Sequence, residues 1–221
     1  ELVAKGVKIN CCSLLQVDLR TTFAVGVELA VSPPMLSVLA SVAPDAAGRA
    51  TTNSKQLALT VSARPLPELL AAALTTHRAV LRSSLTRGQS WLGGEGEAKD
   101  DSLREALGSL KVALADAGKP WDELAAVGAA PFESCANLLL CSDEAAGALR
   151  SSAGASLLAS LLSGFQLAAG SGPLCEEKLS GVAFVLESVE LEAADDEEEG
   201  GSGRLAGQGI AAMKDACRSA F

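Results

Sequence analysis

Apolar residues change their period several times along the chain, and each change marks an element. Val3 to Ile9 reads as a strand, and Leu14, Leu15, Val17, Leu19 and Phe23 line a short helix with Asp18 and Arg20 facing out. Val25, Val27, Leu29 and Val31 then alternate with Gly26, Glu28 and Ala30, the period of a half-buried strand. Pro33 and Pro34 end it, because neither can donate to a ladder. Residues 44–56 are small and polar and read as a linker between domains. Alternation returns over Leu57–Arg64, with Leu57, Leu59 and Val61 on one face. Pro67 then opens a helix, where its missing N–H costs nothing, and Leu70, Leu74, His77 and Leu81 form the stripe.

Gly88 to Lys99 is glycine-rich and reads as a loop. Ser102-Leu-Arg-Glu105 has the form of a capping box, and Leu103, Leu107, Leu110 and Leu114 continue it as a helix stopped by Gly118 and Pro120. Trp121 begins a short turn, and Asn137–Cys141 reads as a short buried strand. Leu157, Leu158, Leu161, Leu162 and Phe165 define a long helix, broken at Gly170, Gly172 and Pro173. Val182–Leu191 is a strand whose phase slips, since Val182, Phe184 and Leu186 share one face but Val189 and Leu191 fall on the odd register. That slip predicts a bulge near Ser188. The acidic, glycine-rich run 192–206 reads as a solvated insertion. A last helix places Ile210, Met213, Cys217 and Phe221 inward and Lys214 and Arg218 outward.

The 221 residues are 48% hydrophobic, so the chain is a folded one rather than a disordered one. Net charge is -9, but eight carboxylates between Glu187 and Glu199 account for nearly all of it. A broad basic face is therefore not expected from charge, and any RNA contact has to be local. Phe23 to Val42 is the most apolar stretch, and Glu28, Pro33 and Pro34 interrupt it, which argues against a membrane span. The chain opens on Glu1 and closes on Phe221 with a helical pattern still running, so it reads as an internal piece of something longer.

Few residues are equipped for catalysis. His77 is the single histidine and there is no tyrosine. His77 sits beside an apolar stripe with no carboxylate or nucleophile nearby, and reads as a core-edge side chain. The six cysteines form no C-x-x-C pair and so give no zinc signature; they read as reduced, mostly buried thiols. Gly94-Glu-Gly96 lacks a preceding strand and a third glycine, and Ala117-Gly-Lys-Pro120 is a helix end rather than a phosphate loop. Glu176 and Glu177, as strand neighbours, would point to opposite faces and cannot share a substrate. No catalytic, cofactor-binding or metal-ligating residue is expected.

Two segments carry more than periodicity. Ser163-Gly-Phe-Gln-Leu-Ala168 leads through Ser171-Gly-Pro-Leu-Cys-Glu-Glu-Lys-Leu-Ser-Gly-Val182 to Phe184-Val-Leu-Glu187, and Gly207-Gln-Gly-Ile-Ala-Ala-Met-Lys-Asp-Ala-Cys-Arg218 follows the acidic run. Together they resemble the fourth domain of the EF-G-like translocase superfamily, most of all its elongation-factor-like GTPases of ribosome biogenesis. Ala63-Arg-Pro-Leu-Pro67 is similar to the entry into that domain, and the first 43 residues look like the end of the domain before it. The ordinary eukaryotic translocase carries a histidine, the diphthamide acceptor, just before the Gly-Gln; Gly200 to Ala206 contains none.

The resemblance implies an α+β chain: residues 1–43 as the C-terminal half of a ferredoxin-like domain III, and 57–221 as a domain IV like the second domain of ribosomal protein S5. It implies a cytoplasmic parent whose GTP and Mg belong to a domain outside these residues. That parent would act with the Shwachman–Bodian–Diamond protein to release the anti-association initiation factor from the large ribosomal subunit. This piece would be a lever touching the ribosome. Its expected contacts are Arg204, Gly207, Gln208, Lys214 and Arg218, with the last helix starting near Gly207-Gln208 so that its free N–H groups and Arg204 face a phosphate. The competing readings are domain IV of a translocase or spliceosomal relative, and a non-enzymatic interaction module.

Overall fold

The computed structural model describes residues 39–42, 48–54, 57–87, 91–92, 98, 100–130, 137–174, 176–191 and 201–221. The strand–helix–strand expected over 3–31 lies outside them. Leu39–Phe221 forms one compact unit.

Seven strands and six helices are described: β1 (Leu39–Ala40), β2 (Gly48–Ser54), β3 (Leu57–Pro65), α1 (Glu68–Thr76), α2 (Arg78–Thr86), α3 (Asp101–Asp116), β4 (Ala125–Ala130), β5 (Asn137–Cys141), α4 (Asp143–Arg150), α5 (Ser152–Gly170), β6 (Lys178–Leu179), β7 (Val182–Leu191) and α6 (Gly201–Ala220). The fold is α+β. Five strands join in the order β2-β3-β7-β5-β4, with β7 parallel to β5 and every other neighbouring pair antiparallel. β1 and β6 form a separate parallel pair.

The sheet is apolar on one face and, over β7, β5 and β4, on the other. Leu57, Leu59, Val61 and Ala63 join Phe184, Leu186, Leu139 and Cys141 beneath α4, α5 and α6. Leu138, Leu140, Ala183 and Val185 meet the leucine stripes of α1 and α3 on the other side. Because β5 is covered on both faces, its sequence is a continuous apolar run rather than an alternation. Trp91 is 1% exposed and donates from Nε1 to Ser84 Oγ at 2.8 Å, which lets an indole be buried without an orphaned N–H.

The bulge falls where the phase slip put it, within one residue. Thr60 pairs with Ser188 and Val61 with Leu186, leaving Glu187 as the extra residue of β7.

Several expectations need correction. Residues 44–56 are not simply a linker: Gly48–Ser54 pairs along its whole length with β3 as a sheet edge. Its polar threonines hid it, and Thr51 and Thr60 hydroxyls meet at 3.1 Å across the pair. The helix after Pro67 is two helices, because His77 (φ -99°, ψ 16°) interrupts the helical path. The third helix is capped by Asp100, whose carboxylate accepts from Leu103 N at 2.7 Å, and not by Ser102. The insertion 192–206 ends earlier than expected, since α6 already runs from Gly201. Leu205 lies on the same helical stripe as Gly209, Met213 and Cys217 and packs on the core, so the helix extends upstream to bury it.

Candidate functional site

α6 carries the residues that the sequence singled out. Its buried stripe holds Gly209, Ala212, Met213, Ala216, Cys217 and Ala220. The backbones of α5 and α6 approach closely at two glycines. A Cβ on Gly164 would collide with the Ile210 carbonyl and stand 2.9 Å from Met213 Cβ, and one on Gly209 would stand 2.5 Å from Leu157 Cδ1. Gly207 is exposed with open space around it.

This changes the meaning of Gly207-Gln208. The pair lies beyond the first turn of α6, where N–H groups belong to the helical ladder, so those groups are not free to receive a phosphate. Arg204 falls in the first turn. Gln208 is half-buried, with its Oε1 buried and without a hydrogen-bond partner. Lys214 is half-exposed. Arg218 is committed to the fold: its Nη1 donates to Ser171 O at 3.0 Å and pairs with Glu176 Oε1 at 3.1 Å. It ties the end of α6 to the turn leaving α5.

Glu176 and Glu177 are not strand neighbours. Glu176 has φ 56° and is exposed, while Glu177 is 7% exposed with its main-chain oxygen accepting from Gly172 N at 2.7 Å. A left-handed residue at Glu176, rather than a pleat, separates the exposed carboxylate from the buried one.

The described thiols are inert. Cys141 and Cys217 are free and buried, and desolvation pushes the Cys141 thiol up to about 12 and the Cys217 thiol up still further. Half-exposed His77 sits at the junction of α1 and α2. Among the described residues no three His, Cys, Asp or Glu side chains group as metal ligands, and no helix is long and apolar enough to cross a membrane. Among the described residues two strands feed helices directly, through Pro65–Pro67 and through Ser142; neither connection contains the glycines that let a backbone wrap a phosphate, so these connections do not fit GTP and its Mg.

Two basic groupings stand out, one along a helix face at i,i+4 spacing and one assembled across strands, which the sequence alone did not bring together. Arg78 and Arg82 line an open groove with Thr75, Thr76, Ser83 and Thr86. On the sheet, Arg49 of β2 and Arg64 of β3 flank the bulged Glu187 of β7. Arg49 Nε lies 2.6 Å from Glu187 Oε2, and Arg64 Nη2 lies 4.0 Å from Oε1. Ser142 Oγ donates to the main-chain oxygen of Glu187 at 2.6 Å and also caps α4 through Ala145 N, so the bulge is held in place by the next helix.

Comparison with known proteins identifies the class. The chain is homologous to a segment of the EF-G-like translational GTPases, although no protein-family model matches it. The relatives found are elongation factor-like GTPase 1 of Mus musculus, 33% identical over 184 residues and 72% of this chain, and the Homo sapiens protein of the same name, 34% identical over 179 residues and again 72% of this chain. The chain spans about one sixth of the length of these relatives, 16% and 15%.

Proposed function

We propose that this chain is the ribosome-contacting lever of an elongation-factor-like GTPase that acts in cytoplasmic maturation of the large ribosomal subunit. The similarity to elongation factor-like GTPase 1 over 72% of the chain carries the reading. In it, residues 1–43 are the end of a ferredoxin-like domain III and residues 57–221 are a domain IV of the S5 domain 2 type. GTP and Mg bind elsewhere in the parent. The Shwachman–Bodian–Diamond protein is its partner, and the outcome is release of the anti-association initiation factor.

The fold supports a mechanical part. Helices α4, α5 and α6 cover one face of the sheet, α1 and α3 cover the β7–β5 part of the other, and α5 and α6 meet backbone to backbone, which makes a stiff body suited to transmit a displacement. Arg204, Gly207, Gln208 and Lys214 remain contact candidates on α6; Arg218 instead holds the C-terminal end of that helix.

A chimera tests the reading. This chain's residues 39–221 replace the matching segment of mouse elongation factor-like GTPase 1 in cells depleted of the native protein. Recovery of free anti-association factor from large subunits is the expected result. A chimera that folds and accumulates yet leaves that factor bound contradicts the assignment.

A further inference from the structure

We propose that Arg49, Ser62 and Arg64 form an oxyanion site on the β2–β3 half of the sheet, and that it takes a backbone phosphate of RNA. That the RNA is ribosomal rests on the function proposed above; the site itself rests on its own geometry.

The three side chains converge by register. Arg49 lies opposite Ser62 across β2 and β3, and Arg64 is two residues from Ser62, so all three share one face. The same face of β7 and β5 supplies Ala183, Val185, Leu138 and Leu140 to the core under α1 and α3, whereas neither β2 nor β3 contributes a residue to that core. The β2–β3 half of this face is instead polar, with Arg49, Thr51, Thr60, Ser62 and Arg64.

The donors there are short of an acceptor. Ser62 is 3% exposed and its Oγ has no hydrogen-bond partner; Arg64 Nε is also buried and unpartnered. Arg64 Nη2 approaches Glu187 Oε1 only to 4.0 Å, outside hydrogen-bonding range, while Arg49 engages Oε2 at 2.6 Å. One carboxylate therefore faces two guanidinium groups, and a unit of positive charge is left over. Buried donors without acceptors are costly, and a planar guanidinium fork matches an oxyanion with several oxygens. A phosphate that enters past exposed Arg49 meets that requirement, its oxygens accepting from Arg49 and Arg64 on the way in and from Ser62 at the buried end of the site. The place is open on its β2 side, where the Arg49 side chain is 68% exposed, which suits a phosphate that is part of a long strand.

Glu187 gives the site a distinctive signature. The bulge puts its carboxylate where it occupies Arg49 in the free protein, as an internal competitor for the ligand. Removing that charge should tighten binding, beyond the general effect of removing an acid.

The test is fluorescence anisotropy of the 221-residue chain with a short labelled RNA duplex, across a salt series. Arg49→Gln with Arg64→Gln should weaken binding about tenfold and flatten the salt dependence, as loss of phosphate contacts does. The charge-matched pair Arg104→Gln with Lys119→Gln should change it less than about twofold. Glu187→Gln should tighten binding more than Glu190→Gln on the same strand. Should the double arginine variant fail to fold, Ser62→Ala serves: it should weaken RNA binding about threefold while leaving the chain at least as stable, since it deletes an unpaired buried hydroxyl. Equal losses in the two arginine and control pairs, or equal gains at Glu187 and Glu190, overturn the site. Binding of inorganic phosphate with no binding of RNA overturns RNA as the ligand. Cosedimentation with large subunits separates the two claims: a wild-type chain that cosediments no better than the double variant removes this site from the ribosome contact, while site-dependent RNA binding by a chain that never cosediments removes the ribosome reading and leaves the site.

Discussion

Gly209 of α6 rests on Leu157 of α5 so closely that a Cβ added to it would stand 2.5 Å from Leu157 Cδ1. Half of the Gly207-Gln-Gly209 signature is thereby accounted for by helix packing. Gly207, two residues earlier, faces open space and has no such duty.

The glycines of the α5–α6 contact should therefore respond differently to alanine. Gly164→Ala meets the Ile210 carbonyl, a backbone atom that cannot rotate away, and should cost about 1–3 kcal/mol. Gly209→Ala meets the end of a flexible leucine and should cost less, because gained helix propensity offsets part of the clash. Gly207→Ala should stabilise by about 0.5–1 kcal/mol. Urea denaturation monitored by circular dichroism gives the order; an unchanged midpoint for Gly164→Ala would show that the two helices are not in backbone contact.

The buried thiols predict alkaline sensitivity. Below about pH 9 Cys141 is protonated folded or unfolded and contributes no pH dependence. Above it the unfolded chain releases the proton while the folded chain holds it until about pH 12, so stability falls as pH rises through that window. The slope reaches at most about 1.4 kcal/mol per pH unit for each thiol, with Cys217 adding in the same direction. Guanidinium melts between pH 8 and 11 on the Cys141→Ala/Cys217→Ala variant should show a shallower decline than wild type. Parallel curves would mean the thiols are not the cause.

Trp91 and Ser84 form a buried pair linking the segment after α2 to α2 itself. Ser84→Ala leaves the indole N–H without its acceptor and should cost about 1–3 kcal/mol, with the fluorescence of Trp91 still blue-shifted in the folded state. Trp91→Phe in the Ser84→Ala background should cost less than the two single changes added together, because the orphaned donor is gone. Strict additivity would show that the hydrogen bond carries no weight.

How much of this was readable in the chain depended on how locally each signal was written. β3, β5 and the leucine stripes of α3 and α5 are self-contained patterns, and the slip between Leu186 and Val189 announced the bulge at Glu187. β4 was not legible: Ala125-Ala-Val-Gly-Ala-Ala has one large apolar residue, and it becomes a strand by pairing with β5, with Gly128 placed where Leu162 of α5 leaves no room for a Cβ. β2 was lost for the opposite reason, being a polar edge. The start of α6 was misread because Gly201, Gly203 and Gly207 look like loop residues until Leu205 is seen to reach the core. Arg49, Arg64 and Glu187 come from three strands, and only the register brings them together. The family signature, by contrast, lay in contiguous residues and pointed to the elongation-factor-like GTPases before the fold was known.

The most direct measurement of the central claim is sucrose-gradient cosedimentation of the 221-residue chain with purified large and small ribosomal subunits. The account predicts that the chain travels with the large subunit at low ionic strength, is released as salt is raised, and stays at the top of the gradient with small subunits. A chain that remains unbound to large subunits at low salt, or that binds both subunits equally, would contradict it.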